Sequence, residues 1–128
     1  MIEIKGLSIH LGEFRLKEIN LSIDEGEFFV LMGPTGAGKT VLLEAIAGLV
    51  PVLGGSITIG GMDMTRLPPE QRGVVIMYQY YSLFPHLTIA RNITYGLRYH
   101  RHDRESAGKR FQKLVDDLNI GHLLHRRP

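Results

Sequence analysis

Cysteine is missing from all 128 residues. Disulfide cross-links and thiolate metal sites are therefore excluded, a usage in keeping with the cytoplasm. No apolar run approaches the roughly 20 residues that span a bilayer. The N-terminus alternates apolar and charged residues (Ile2, Glu3, Ile4, Lys5), unlike the apolar stretch of a signal peptide. There is little net charge, +2, but it is unevenly spread. Residues 1–78 hold six Lys and Arg against nine Asp and Glu; residues 79–128 hold nine against four. The basic second half suits nucleic acid, the anionic cytoplasmic leaflet or an ordinary solvated helical surface. With 44% hydrophobic and 22% charged residues, the rest of the composition is that of one folded domain or part of one.

Against this background one stretch stands out. Gly33-Pro34-Thr35-Gly36-Ala37-Gly38-Lys39-Thr40 matches G-x-x-x-x-G-K-[ST], the phosphate-binding P-loop. Apolar Phe28 to Met32 runs into it, and a helical pattern from Val41 to Ala47 runs out. A nucleoside triphosphate needs its anionic oxygens gathered at close range. Glycines at 33, 36 and 38 let the backbone approach, and successive N–H groups can then form an anion nest. The helix beginning near Lys39 adds the positive end of its dipole. Lys39 can reach the β- and γ-phosphates, and the Thr40 hydroxyl can ligate Mg²⁺.

The rest of the chain falls into short elements. Residues 2–23 read as antiparallel strands turning at Gly12-Glu13, with a bulge or bend at Lys17-Glu18. Asp24 to Glu27 is a turn. Phe28 to Met32 and Val74 to Met77 have the continuous apolar pattern of strands covered on both faces. The helix after the P-loop places Leu42, Leu43, Ile46 and Ala47 together and stops at Gly48 and Pro51. A short strand, Ser56 to Ile59, lies between two glycine pairs, and Leu67-Pro68-Pro69-Glu70 begins a brief helical turn. After Gln79 the texture becomes aromatic and proline-broken. Thr88 can cap a helix carrying Ile89, Ile93 and Leu97. Asp103 can cap a longer one with Phe111, Leu114, Val115 and Leu118, ended by Asn119 or Gly121.

Taken together, Gly33–Thr40, Gly54-Gly55-Ser56-Ile57, Gly61-Met62-Asp63, Leu67-Pro68-Pro69-Glu70-Gln71-Arg72 and Gln79 to Thr88 resemble the ATPase subunits of ABC importers over essentially the whole chain. Through the P-loop residues, Leu43 to Gly48 and Arg91-Asn92-Ile93, the resemblance is greatest to molybdate/tungstate importers, with sulfate, polyamine and sugar importers as alternatives. The resemblance implies an α/β fold: an incomplete P-loop NTPase core with an N-terminal antiparallel β-subdomain and a partial α-helical subdomain. The divisions fall at 1–27, 28–79 and 80–128. It implies Mg-ATP bound by residues 33–41 (Val41 included) and by Gln79, which would contact Mg²⁺ and the attacking water. An amide suits that role because it can accept or donate. Tyr80, Tyr81, Ser82, Leu83, Phe84, Pro85, His86, Leu87 and Thr88 would form the groove for a helix of the membrane permease, although Leu83, Phe84 and Leu87 also suit a small local core. A complete subunit would work as a homodimer on the cytoplasmic face of the membrane, served indirectly by an extracytoplasmic solute-binding protein and using no nucleic acid.

Two features depart from the family pattern. The aromatic residue that stacks on adenine has no clear counterpart: His10, Leu11 and Phe14 are the candidates. No LSGGQ signature, Walker B aspartate, catalytic glutamate or switch histidine lies within the 128 residues. The expectation is a chain that is an N-terminal portion, binding nucleotide weakly and not turning it over. Three other readings compete. A small P-loop kinase would use Arg98, Arg101 and Arg104 as a lid. A nucleic-acid module would place those residues with Lys109 and Arg110 on phosphates, but no groove-reading motif accompanies them. A metal site would use His100 with His102, or His122 with His125, but no carboxylate motif frames either pair.

Overall fold

The computed structural model describes residues 1–78, 80, 83–98 and 104–128, with the backbone alone at Arg98 and Arg104. Two units hold together through their own contacts, Met1–Met77 and Tyr78–Pro128.

In the first unit, strands β1 (Ile2–Leu11) and β2 (Phe14–Ile23) form a hairpin across the expected Gly12-Glu13 turn. Ile2 pairs with Ile23, Ile4 with Leu21, Ile9 with Leu16 and Leu11 with Phe14. The register shifts twice between Ile4 and Ile9, and opposite that shift Glu18 takes φ 51. This is the irregularity expected at Lys17-Glu18. Side chains hold it in place: Gly6 N–H donates to Asn20 Oδ1 at 2.8 Å, and Glu18 N–H to Ser8 Oγ at 3.3 Å. Strands β3 (Gly54–Ile59) and β4 (Met62–Asp63) join the same sheet, all antiparallel, in the order β2-β1-β3-β4. Helix α1 (Lys39–Ala47) packs on this sheet. Ile4, Leu7, Ile9 and Ile57 from the strands and Leu42, Ala45 and Ile46 from α1 form the core. Each fully buried Ile or Leu contributes about 1.5–3 kcal/mol relative to exposure.

The expectation of two doubly covered strands is not met. Residues 28–32 and 74–77 carry no strand pairing, and Phe28, Met32, Val75 and Met77 are 91%, 84%, 93% and 84% exposed. Leu31 and Val74 alone within these two stretches pack against the core. The physical reason is that a strand cannot satisfy its own backbone hydrogen bonds. An apolar run expresses a demand for cover, and neither stretch pairs with any strand among the described residues.

In the second unit, α2 (Ile89–Ile93) is capped by Thr88, whose Oγ1 accepts from Arg91 N–H at 3.3 Å. A short 3₁₀ turn follows at Tyr95–Arg98. Helix α3 (Arg104–Asp117) buries Val115 while Leu114 and Leu118 stay largely exposed. It ends at Asn119, in the left-handed region at φ 52; Asn119 N–H bonds Asp116 O and Ile120 N–H bonds Val115 O. That pair of bonds is the Schellman pattern. Asp103, the expected cap of α3, lies outside the described residues.

Candidate nucleotide-phosphate site

The P-loop is built where the sheet meets α1. Gly36 and Gly38 take φ 83 and 91, the left-handed region that side chains resist. Ala37 N–H donates to Pro34 O at 3.2 Å, closing the loop, and Leu42 N–H donates to Gly38 O at 2.9 Å, beginning the helix. Gly38 is the N-cap of α1, and no side chain caps the helix there. The first-turn N–H groups, which have no partner within a helix, therefore face outward from an end that carries no acidic residue. Gly33 to Ala37 and Thr40 are exposed. The chemistry of this donor set fits a phosphate chain: backbone N–H groups at a positive helix pole, an ammonium and a hydroxyl.

Lys39 is folded over the loop, its Nζ donating to Gly33 O and Pro34 O, both at 2.7 Å. The ammonium is thus held beside the nest by the loop's own carbonyls. Val41 is half-buried and packs against the core, fixing the first turn to the sheet.

Gly38 has a second reason to be glycine. A Cβ there would lie 2.5 Å from Phe14 Cζ and 2.9 Å from Leu16 Cδ2. Of the three residues weighed for base stacking, Phe14 is thus placed with its ring against the P-loop. Its partner across the hairpin is Leu11, whereas His10 pairs with Arg15 and lines an open cleft with Ser8, Lys17 and Leu53.

At its other end α1 finishes in a Schellman turn, Gly48 N–H to Ala45 O and Leu49 N–H to Glu44 O. Arg72 reaches this end through Nη1, while Nε and Nη2 bond the 65–67 turn. Burial pulls its pKa below the ordinary guanidinium value, offset in part by the Asp63 carboxylate. Asp63 accepts from both the hydroxyl and the N–H of Thr65, and these two bonds hold its carboxyl below the usual carboxylate range. Thr65 Oγ1 also accepts from Ile57 N–H at 2.9 Å, tying the turn to the sheet.

Among the other expected site residues, Gln79, Tyr81 and Ser82 lie outside the described residues, as do His100, Arg101 and His102. Tyr80 is exposed, Leu83 half-exposed, and Pro85 and His86 exposed. The stretch from Phe84 to Thr88 is folded around Asn92. Its Oδ1 accepts from Phe84 N–H at 2.8 Å, and its Nδ2 donates to Phe84 O, Leu87 O and Thr88 O. The Phe84 ring stacks on Tyr95 with centroids 4.3 Å apart. Asn92 and Arg72 went unrecognised from sequence as organisers. The signal available was a polar residue within an apolar helical pattern and an arginine after a proline turn, both too common to single out. Among the described residues no three His, Asp or Glu side chains are placed to hold a metal ion, and no helix is long and apolar enough to cross a membrane.

Comparison with known proteins gives consistent matches. The molybdate/tungstate import ATP-binding protein WtpC of Pyrococcus horikoshii is 42% identical over 128 residues, covering all of this chain and 37% of that protein. The maltose/maltodextrin import ATP-binding protein MalK of Yersinia pestis (strain Antiqua) is 42% identical over 112 residues, covering 88% of this chain and 30% of that one. Thus the chain spans about a third of the length of these curated relatives. Among solved structures, the ATP-binding cassette MJ0796, captured as a dimer in a post-hydrolysis state bound to ADP and Pi, superposes with a TM-score of 0.81. The identity is 27%, and the match covers all of this chain and 62% of that one. The profile described as ABC transporter matches residues 16–128, and with the P-loop geometry above it shows that this chain belongs to the ABC transporter family.

Proposed function

We propose that the chain is the N-terminal, phosphate-binding portion of an ABC importer's ATPase subunit, with an antiparallel β region at 1–27, a P-loop core at 28–79 and a helical region at 80–128. The observation that carries this reading is the uncapped start of α1 behind Gly36 and Gly38, with Lys39 held beside it by two loop carbonyls. ATP is the nucleotide. The backbone of Gly33 to Gly38 cradles the phosphate chain, Lys39 exchanges its loop carbonyls for phosphate oxygens, and Val41 anchors the turn. Mg²⁺ would supply charge neutralisation between phosphates, held by Thr40 and by Gln79. In the whole subunit this site serves transport-coupled hydrolysis by a homodimer on the cytoplasmic face. Residues 1–128 contain no residue proposed here as general base, so this chain alone binds ATP without turning it over.

Tyr80 to Thr88 is the surface for the permease. Support comes from the exposure of Tyr80 and Leu83 and from the Phe84–Thr88 backbone that Asn92 holds in shape. The solute, delivered by an extracytoplasmic binding protein, is an oxyanion such as molybdate or tungstate, as named for the Pyrococcus horikoshii relative that matches this chain from end to end. A sugar is the second reading, favoured by the equal identity of the MalK protein over 88% of the chain.

Isothermal titration of the chain with Mg-ATP tests the reading. Lys39→Ala is expected to weaken binding by about tenfold or more, the loss of a charged hydrogen bond to phosphate. Equal affinity in both proteins would overturn it, and phosphate release above the Lys39→Ala control would overturn the lack of turnover.

A further inference from the structure

Arg72 is the buried charged residue of the described core, 6% exposed. Its guanidinium spends itself on backbone carbonyls. Nη1 donates to Ala45 O at 2.8 Å and Ile46 O at 3.2 Å, Nε to Leu67 O at 2.7 Å, and Nη2 to Thr65 O at 3.1 Å. Ala45 and Ile46 form the last turn of α1, whose final carbonyls lack partners within the helix. Arg72 therefore supplements the Schellman turn at Gly48, adding a second donor to Ala45 O and a positive charge at the negative pole of the helix. The neighbouring backbone is shaped to admit it: a Cβ on Gly48 would lie 2.6 Å from Nε and 2.9 Å from Cζ. One planar fork thus clamps α1 to the 65–67 turn, which Thr65 fastens to β3. The opposite end of α1, about 13 Å away at 1.5 Å per residue, carries Lys39, Thr40 and the uncapped N–H groups.

We propose that Arg72 is a positioning residue for phosphate binding: it holds α1 by its C-terminal turn, so that the first-turn N–H groups and Lys39 meet the phosphates without a search. The inference rests on the phosphate-site reading above. A lysine offers a point charge in place of a fork, so Arg72→Lys keeps the charge at the pole and loses the four-carbonyl clamp. Gly48→Ala attacks the same clamp from the backbone side, at a position that is itself strained for alanine at φ 84.

The test is calorimetric titration of wild type, Lys39→Ala, Arg72→Gln, Arg72→Lys, Gly48→Ala and the Arg72→Gln/Gly48→Ala double variant with Mg-ATP and with inorganic triphosphate, each protein's folded fraction taken from circular dichroism. Arg72→Gln is expected to weaken both ligands by the same factor, about three- to tenfold, as for loss of a partly buried charge at a helix terminus. Arg72→Lys should recover part of that loss. Gly48→Ala should weaken binding too, and by less when Arg72 is already replaced, because the two changes act on one clamp. A residue important only for stability would lower the melting temperature and leave the affinity of the folded fraction unchanged. That result in Arg72→Gln overturns the inference. If Arg72→Gln does not fold, unchanged affinity in both Arg72→Lys and Gly48→Ala overturns it instead. Failure of wild type to bind either ligand, with Lys39→Ala the same, overturns the phosphate site and this inference together. Tight wild-type binding with indifferent Arg72 and Gly48 variants overturns the inference alone.

Discussion

The two sides of the P-loop share an apolar composition and differ in almost everything else. On the exit side, α1 buries Leu42, Ala45 and Ile46 against the sheet. On the approach side, Phe28 to Met32 leaves three large side chains, Phe28, Val30 and Met32, more than half exposed. A helix closes its hydrogen bonds within itself, so one apolar face against one sheet completes it. A strand needs a neighbouring backbone before its side chains can be covered. The same holds for residues 74–77, where Val74 touches the core and Val75 and Met77 do not. Hydrophobicity therefore pointed to cover on both sides of the loop, but within the described fold only the helix has it, and the approach side is neither paired nor buried.

This contrast can be strained at three points. The largest effect is expected on the covered side. Ile46→Ala removes a buried side chain from the α1–sheet interface and should cost about 2–4 kcal/mol in urea unfolding. A loss below about 1 kcal/mol would mean that α1 is not held by that interface.

A smaller effect is expected at the turn that braces the covered side. The Asp63 carboxyl is held below its ordinary value by the Thr65 hydroxyl and N–H. A depressed folded pKa stabilises fully above the unfolded value, and that contribution disappears as pH falls through the folded value. The urea midpoint of wild type should therefore decline in the acid range below the ordinary carboxylate pKa more steeply than that of Asp63→Asn. Parallel acid limbs would show that this carboxyl is not linked to folding.

The smallest change is expected on the uncovered side. Val75→Ser should alter stability by no more than about 0.5 kcal/mol while reducing light scattering on concentration, since an exposed apolar strand-like segment is an aggregation liability. A cost above about 1 kcal/mol would show that Val75 is covered in solution and would remove the contrast.

How much of this was legible beforehand varies with the reach of the interaction involved. The Gly12-Glu13 turn, the α1 stop at Gly48, the Thr88 cap and the Asn119 terminus all rest on contacts within a few residues. Local propensity suffices for them. The P-loop was legible for the same reason: its loop conformation and the first turn of α1 are consecutive in the chain. Less legible was the attachment of β3 to β1, because that pairing joins Ile4 to Ile57 across 53 positions of sequence. The packing of Phe14 against Gly38 and the grip of Arg72 on Ala45 and Ile46 are likewise long-range, and no periodicity announces them.

By itself, then, the order of residues determined the local shape of the P-loop. Glycines at 36 and 38 that accept positive φ, followed directly by Lys39, Thr40 and a helix start, make a phosphate nest wherever that segment folds. Tertiary structure alone decided how firmly the nest is held and which apolar stretches are covered. Burial and the Arg72 clamp depend on surfaces supplied by distant parts of the chain, and a stretch such as Phe28 to Met32 cannot specify its own partner.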